Sequence, residues 1–216
     1  MIKPIEQFRN NILEVRKIHY IYQYLTTTMI EGIDIDGLLR TEIVFSISAL
    51  DQYIHQAIIF EMENILINNK SIPISFSKLL IGADIVSALL NDDSINHIEL
   101  IKSDIQNKLS WRSYQHPEKI NEGIKMVSDK DIWDLAAVLL HAEKNVIKQK
   151  LSLIVKRRDC IVHEADYDPV SFGQYYIDNI IAVDSVNFIT QLIYAFDSII
   201  YDYSYSDTLF AVLLLD

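Results

Sequence analysis

Apolar side chains recur at steps of three and four residues along the first part of the chain. The members of this series are Ile5, Phe8, Ile12, Val15, Ile18 and Tyr22. Such spacing places them on one face of a helix, and a proline suits the first helical turn, so the pattern predicts a helix from Pro4 to about Thr28. A turn rich in Gly and Asp follows over 31–37. A longer helix is predicted over about 38–68, because no Gly or Pro interrupts that stretch.

The rest of the chain repeats the helical pattern, mostly in shorter pieces. After a loop over 68–73, a short helix is predicted over 77–80 and a longer one over 83–111, with a break near 91–94. Another helix is predicted over 117–126, and a further one begins after a cap at Ser128. The last two are predicted over 144–162 and 177–201. Asp168-Pro169 is expected to mark the end of the helix over 144–162. The apolar stretch 209–215 is too short to span a membrane, and we expect it to pack on the domain or on a partner.

Helix breakers are few, with five Gly and four Pro that lie far apart. An all-β sandwich needs a turn signal about every 8–12 residues, so the sequence excludes that class. Isoleucine is the commonest residue and by propensity favours strands, but the periodicity favours helices. We find no internal repeat and no linker. The sequence therefore predicts one all-α domain over 1–216.

Charge and cysteine content narrow the function further. The net charge of −11 argues against a general nucleic-acid coat, because phosphate binding needs Lys and Arg, although one local basic site stays compatible with it. The single Cys160 excludes a disulfide framework and fits a reducing compartment. No secretory signal and no run of about 18 apolar residues is visible, so we expect a soluble cytoplasmic protein that does not use a membrane.

The densest group of ionisable side chains lies at the end of the helix predicted over 144–162. Six such side chains, besides Cys160, occur over 157–166, and six of the 19 basic residues occur over 144–158. One arc of about 140° on the helix contains Lys144, Lys148, Arg158, Asp159 and His163. Asp159 and His163 are i,i+4 neighbours, so we expect the carboxylate to hydrogen-bond the imidazole and fix its tautomer.

This combination suits attack of a ribose 2′-hydroxyl on the neighbouring phosphate, which needs a base and a cation but no metal. His163 would take the proton or position the hydroxyl, and Arg158 would stabilise the charge that develops on phosphorus. The same residues also suit an ordinary helix C-terminus, where cations interact favourably with the helix dipole. The residues alone leave both interpretations open and favour the second.

The six residues over 158–163 form an R-x4-H motif with a polar residue after the arginine, RDCIVH. This motif resembles the signature of the HEPN superfamily (higher eukaryotes and prokaryotes nucleotide-binding). The longer string IVHEADYDP over 161–169, followed by Gly173 and Ile177-Asp178, looks like the RiboL-PSP branch of that superfamily. Two further segments are similar to the same branch in order and spacing: LRTEIV with SALDQYIH over 39–55, and SYQHP with DIW over 113–133.

The resemblance implies an all-α, up-and-down helical bundle that forms a homodimer with its two R-x4-H motifs facing each other. It also implies a metal-independent endoribonuclease without a cofactor, acting on RNA as a toxin or antiviral defence effector, with a cognate antitoxin or defence-system partner. Arg158 and His163 match the motif pair, and Asp159 matches its polar position. Arg157 gives an overlapping R-x5-H reading, so either arginine can contact phosphate. Since some members are inactive, the alternative is a non-catalytic interaction or nucleotide-binding module that regulates a partner.

Further residues are expected to bind substrate or support the site. Arg40, Asp51 and His55 share an arc of about 80° with Ser48 on the helix over 38–68. This polar stripe is expected to line a cleft opposite the motif, or else to be a solvated face, although Val44, Ile58 and Met62 interrupt it. The supporting set is completed by Arg157, Glu164 and Lys148.

Other chemistry is less well supported. His163, Glu164 and Asp166 lack a second His or Cys at ligand spacing, so we expect no metal site. Cys160 is interpreted as a core residue rather than a nucleophile. Two further groups are interpreted as structural: the isolated histidines, and the two tryptophans, which are expected to anchor the core. These residues are His19, His97, His116, His141, Trp111 and Trp133.

Overall fold

The computed structural model describes residues 3–28, 33–68, 72–76, 79–91 and 96–202. Within these ranges the chain forms eight helices and one two-stranded antiparallel sheet, which confirms the all-α prediction. The elements are α1 (Pro4–Thr28), α2 (Asp36–Asn68), α3 (Ala83–Asn91), α4 (His97–Leu109), α5 (Pro117–Ile124), α6 (Ile132–Leu139), α7 (Lys144–Glu164), β1 (Tyr167–Asp168), β2 (Gly173–Gln174) and α8 (Asn179–Tyr201). The predicted short helix over 77–80 and the apolar tail over 209–215 lie partly or wholly outside the described residues.

Helix α2 is the centre of the bundle and packs against α1, α4, α5, α7 and α8. Its buried residues cover most of the helix surface, and one narrower side, with Phe45, Ser48 and Gln52, is exposed. It begins two residues before the predicted start, because the Asp34 carboxylate accepts a hydrogen bond from the Asp36 amide at 2.8 Å and turns the chain into the helix.

Helices α2 and α8 are long and apolar enough to cross a membrane, judged by length and composition alone. Inside the protein, 56% and 61% of their apolar windows are buried against other helices. A buried core helix of a soluble protein passes the same test of length and composition.

Two predictions about local structure are wrong. Ser128 does not cap a helix; its hydroxyl accepts a bond from the Lys130 amide, and α6 begins three residues later than predicted. Asp131 is the cap, because its carboxylate accepts the amides of Trp133 and Asp134 at 3.1 Å each. Trp111 is 91% exposed and does not anchor the core.

Trp133 is 1% exposed, which confirms it as a core anchor. Its indole N–H donates to the Pro117 carbonyl at 3.2 Å and ties α6 to the start of α5.

The chain reverses direction between α7 and α8 through a short hairpin. Helix α7 ends at Glu164, two residues after the predicted end at 162, because Ala165 takes a left-handed conformation. The Asp168 carboxylate then accepts bonds from the Val170 amide at 3.0 Å and the Ser171 hydroxyl at 2.7 Å, which closes the turn between β1 and β2. The hairpin therefore folds back directly beside the last turn of α7.

Candidate functional site

The R-x4-H motif occupies the last two turns of α7. His163 and Glu164 are exposed, and His163 makes no hydrogen bond to any residue that the structure describes. The side chain of Arg158 is only 16% exposed, and its Nη1 pairs with the Asp159 carboxylate at 3.0 Å. Its Nε is buried and has no hydrogen-bond partner among the described residues. The motif thus presents an open imidazole and a mostly covered guanidinium.

Asp159 does not play the local role that the i,i+4 spacing predicts. Within the described ranges no hydrogen bond joins its carboxylate to His163, and its carboxylate contacts Arg158 instead. Adjacent residues on a helix diverge by about 100°, but the long guanidinium arm spans that angle and brings its charge to the carboxylate. Asp159 therefore positions the motif arginine rather than the motif histidine.

Arg157 points away from Arg158 and into the hairpin. Its Nη2 donates to the Asp166 carboxylate at 2.8 Å and to the carbonyls of Tyr175 and Tyr176 at 3.1 and 3.0 Å. The guanidinium also lies over the Tyr175 ring, 5.4 Å from its centre. These contacts occupy Arg157, so of the two overlapping arginines Arg158 is the one without a structural network.

Arg40 reaches the same carboxylate from α2. Its Nε donates to Asp166 at 2.7 Å and its Nη2 donates to the Tyr175 carbonyl at 3.0 Å. Asp166 is fully buried and Arg40 is 8% exposed, so Arg40 does not line an open cleft. We call Arg40, Arg157 and Asp166 the arginine clamp. Sequence reasoning missed it because Asp166 lies 126 positions from Arg40 and joins it only after the hairpin returns.

Asp51 and His55 stabilise the loop that leads into α5. The Asp51 carboxylate accepts the Tyr114 amide at 2.6 Å and the Gln115 side-chain amide at 3.1 Å. The His55 Nε2 lies 3.0 Å from the Arg112 carbonyl, to which it must be the donor, and 3.8 Å from Asp51. Asp51 and His55 are thus only in loose contact with each other, and both residues bond the loop.

Lys148 lies in an open groove between α5 and α7, together with His116, Gln149 and Ser152. Its ammonium pairs with Glu118 at 2.8 Å and lies 5.8 Å from the centre of the Trp133 ring system. The groove is therefore polar, but its one lysine is already matched by a carboxylate.

Carboxylates neutralise most of the basic segment over 144–158. Lys144 pairs with two of them and Lys150 pairs with one, at distances of 2.8 to 3.2 Å. Lys148, Arg157 and Arg158 are paired as described above, so among the described residues only Lys156 of this set lacks a carboxylate partner. The local positive charge is consequently much smaller than the sequence suggests.

Cys160 has the environment of a structural residue. Burial, with Glu164 as a secondary cause, raises the pKa of its thiol, so the reactive thiolate is disfavoured. Among the described residues no group of three His, Cys, Asp or Glu side chains is arranged to hold a metal ion.

His19 is not isolated, as the sequence suggested, but forms a buried pair with Glu42. Its Nδ1 lies 3.2 Å from one carboxylate oxygen and 3.3 Å from the other, and its Nε2 lies 3.1 Å from the side-chain amide of Gln23. Glu42 is fully buried and His19 is 1% exposed. Burial raises the pKa of Glu42 to about 8 and lowers that of His19, so both groups are neutral in the folded protein near pH 7.

Comparisons with protein-family models, curated proteins and solved structures found no match for this chain.

Proposed function

We propose that this protein is a metal-independent endoribonuclease of the HEPN type that cleaves single-stranded RNA. In this proposal it acts in the cytoplasm as a homodimer, with two facing R-x4-H motifs, within a toxin–antitoxin or phage-defence system. The observation that carries the proposal is the exposed His163 on the last turn of α7, which has no hydrogen bond to a described residue and is free to meet a substrate. A histidine that only closed its helix end would instead bond the last carbonyls.

The roles of the two motif residues follow from their surroundings. His163 would take the proton of the 2′-hydroxyl, or position that hydroxyl, while Arg158 stabilises the negative charge on the phosphate oxygens. The 2′-oxygen would bond to phosphorus as the bond from phosphorus to the 5′-oxygen breaks, and the leaving 5′-oxygen would take a proton from solvent. The Arg158–Asp159 pair is no barrier, because Asp159 is 41% exposed and exposed ion pairs are worth about 0–1 kcal/mol. A phosphate can therefore take over the guanidinium by forming a bidentate contact.

The test is cleavage of a fluorophore-labelled single-stranded RNA by the wild type and two single variants. His163→Ala and Arg158→Ala should each lower the rate by at least roughly 10²-fold, since each removes one half of the chemistry. Arg158→Lys should not restore activity, because an ammonium cannot supply the bidentate fork. His97→Ala is the matched control, as His97 is also an exposed histidine at a helix end.

Cleavage should continue in excess EDTA, because the proposed step uses side chains only. Loss of activity in EDTA with recovery in Mg²⁺ or Mn²⁺ would contradict this mechanism and make Glu164 a ligand to test. Unchanged rates in both alanine variants would remove the motif from the active site.

One observation favours a second function, a non-catalytic module that binds a nucleotide or regulates a protein partner. Arg158 is mostly covered by its own chain and its charge is met by Asp159, which suits a residue that stabilises the helix end. The same assay decides between the two. A folded wild type that binds the RNA or a nucleotide but leaves the labelled RNA intact would support the module.

A further inference from the structure

The backbone turns sharply two residues after His163, where Ala165 takes a left-handed conformation that alanine rarely adopts. Ala165 and Asp166 have φ angles of 50° and 58°, in the left-handed region that glycine adopts most easily. The amides of both residues donate to the Cys160 carbonyl, the second at 2.9 Å, and this closes the last turn of α7. The Tyr175 amide then donates to the Asp166 carbonyl at 2.8 Å, so the reversal is also bonded to the returning strand.

The arginine clamp places the largest group of side-chain bonds on this reversal, and the Gln174 side-chain amide adds one more, to the Ala165 carbonyl at 2.9 Å. Five hydrogen bonds from Arg40 and Arg157 end on the Asp166 carboxylate and on the carbonyls of Tyr175 and Tyr176. Both guanidinium groups share one carboxylate oxygen, Oδ2, at 2.7 and 2.8 Å. The buried Asp166 carboxylate thus links Arg40 of α2 and Arg157 of α7 to the end of the hairpin.

We propose that Asp166 is a positioning residue for the R-x4-H motif, acting on His163 through the clamp and the backbone reversal. Without the carboxylate, two guanidinium groups face each other with no counter-charge, and the turn loses the side-chain bonds that support its backbone bonds. The last turn of α7 then loses its closure, and His163 lies in that turn. The clamp also withdraws Arg157 from substrate, which leaves Arg158 as the arginine that contacts phosphate. This inference rests on the proposed function.

The main test compares Asp166→Asn with the wild type in RNA cleavage, measuring kcat and KM separately. A displaced catalytic group lowers kcat and leaves substrate binding unchanged, so kcat should fall at least about tenfold while KM stays within about twofold. Arg157→Met should act in the same direction. Arg157→Lys should recover part of kcat, because an ammonium can still meet the Asp166 carboxylate although it cannot serve all three acceptors.

Tyr53→Phe is the matched control, because it also removes a bond to a buried carboxylate. Tyr53 donates to Asp197 at 2.7 Å, near the opposite end of α8 and about 27 Å along that helix from its first residue. All variants are compared well below their unfolding midpoints. The control should keep the kcat of the wild type. A folded Asp166→Asn or Arg157→Met protein with unchanged kcat would overturn the inference, as would an equal loss of kcat in the control.

Hydrogen exchange tests the clamp without any cleavage assay. The amides of residue 165, residue 166 and Tyr175 should exchange at least about tenfold faster in Arg157→Met than in the wild type, since their bonds close the reversal. If the wild type cuts no RNA, the proposed function fails while this result still reports on the clamp. Unchanged exchange at all three amides would overturn the positioning role. Arg157→Met is used here because Arg157 is partly exposed and tolerates replacement better than the fully buried Asp166.

Discussion

The buried Glu42–His19 pair predicts how the stability of this protein depends on pH. In the folded protein the Glu42 pKa is about 8, against 4.5 for a free side chain, because the carboxyl is removed from water. The folded chain therefore keeps a proton that the unfolded chain releases between these two values. The stabilisation is fully present below pH 4.5 and is lost as the pH rises through about 8.

Between pH 6.5 and pH 8, the change in stability with pH comes mainly from the titration of Glu42. The lowered pKa of His19 reduces stability only as the pH falls below 6.5. The other groups with shifted pKa values titrate outside the window: the aspartates titrate below pH 4, and the thiol, the lysine and the phenols titrate at pH 9 and above. In this window the folded chain binds about one proton more than the unfolded chain. Over about 1.5 pH units, that difference lowers the free energy of unfolding by about 2 kcal/mol.

Glu42→Gln removes the titrating proton while it keeps the shape and a hydrogen-bonding group beside His19. Urea unfolding, followed by circular dichroism across this window, should show the loss of about 2 kcal/mol in the wild type and a nearly flat profile in the variant. Glu63→Gln is the control, being the same change on α2 at a carboxylate that pairs with Lys102 at 3.2 Å. A flat wild-type profile, or a variant with the wild-type slope, would refute the reasoning.

Three further predictions concern packing, capping and assembly. Gly123→Ala should lower the free energy of unfolding by about 1–3 kcal/mol in urea, because the added Cβ would lie 2.7 Å from the buried Tyr114 ring. Asp131→Ala should cost about 1 kcal/mol through loss of its cap bonds, whereas Ser128→Ala should cost far less; equal losses in urea would contradict the assignment of the cap. Light scattering at micromolar concentration should give twice the 25.0 kDa chain mass, and a mass of one chain would remove the composite site.

The sequence predicts the long helices well, because their signals are local. The first helix is predicted with its observed ends, and α2, α7 and α8 are predicted to within about two residues at each end, since apolar periodicity and the absence of breakers act along a single segment. The error at Ser128 has a local cause as well. Several capping residue types follow one another from Ser128 to Asp131, and only the direction of the chain decides which one faces the free amides.

The hairpin and the clamp could not be predicted in the same way. Each strand has two residues, too few to show an alternating pattern, and the turn into it uses Ala165 and Asp166 where a glycine would have signalled it. The choice between Arg157 and Arg158 depends on where the hairpin returns, which no spacing within α7 contains. The same holds for Glu42 and His19, which lie 23 positions apart on two helices.

The charges around the motif explain why the proposed activity depends on a second copy of the chain. Arg158 faces Asp159, and the exposed Glu164 follows His163, so carboxylates offset the charge of the motif arginine within one protomer. Affinity for an RNA backbone grows with the number of cations that replace its counterions, and one motif offers a single arginine for that purpose. Two facing motifs would bring a second Arg158 to the same phosphate without adding net positive charge elsewhere on an acidic chain. Dimerisation would therefore bring a second guanidinium to the phosphate, together with a second Asp159 carboxylate that the phosphate would have to displace.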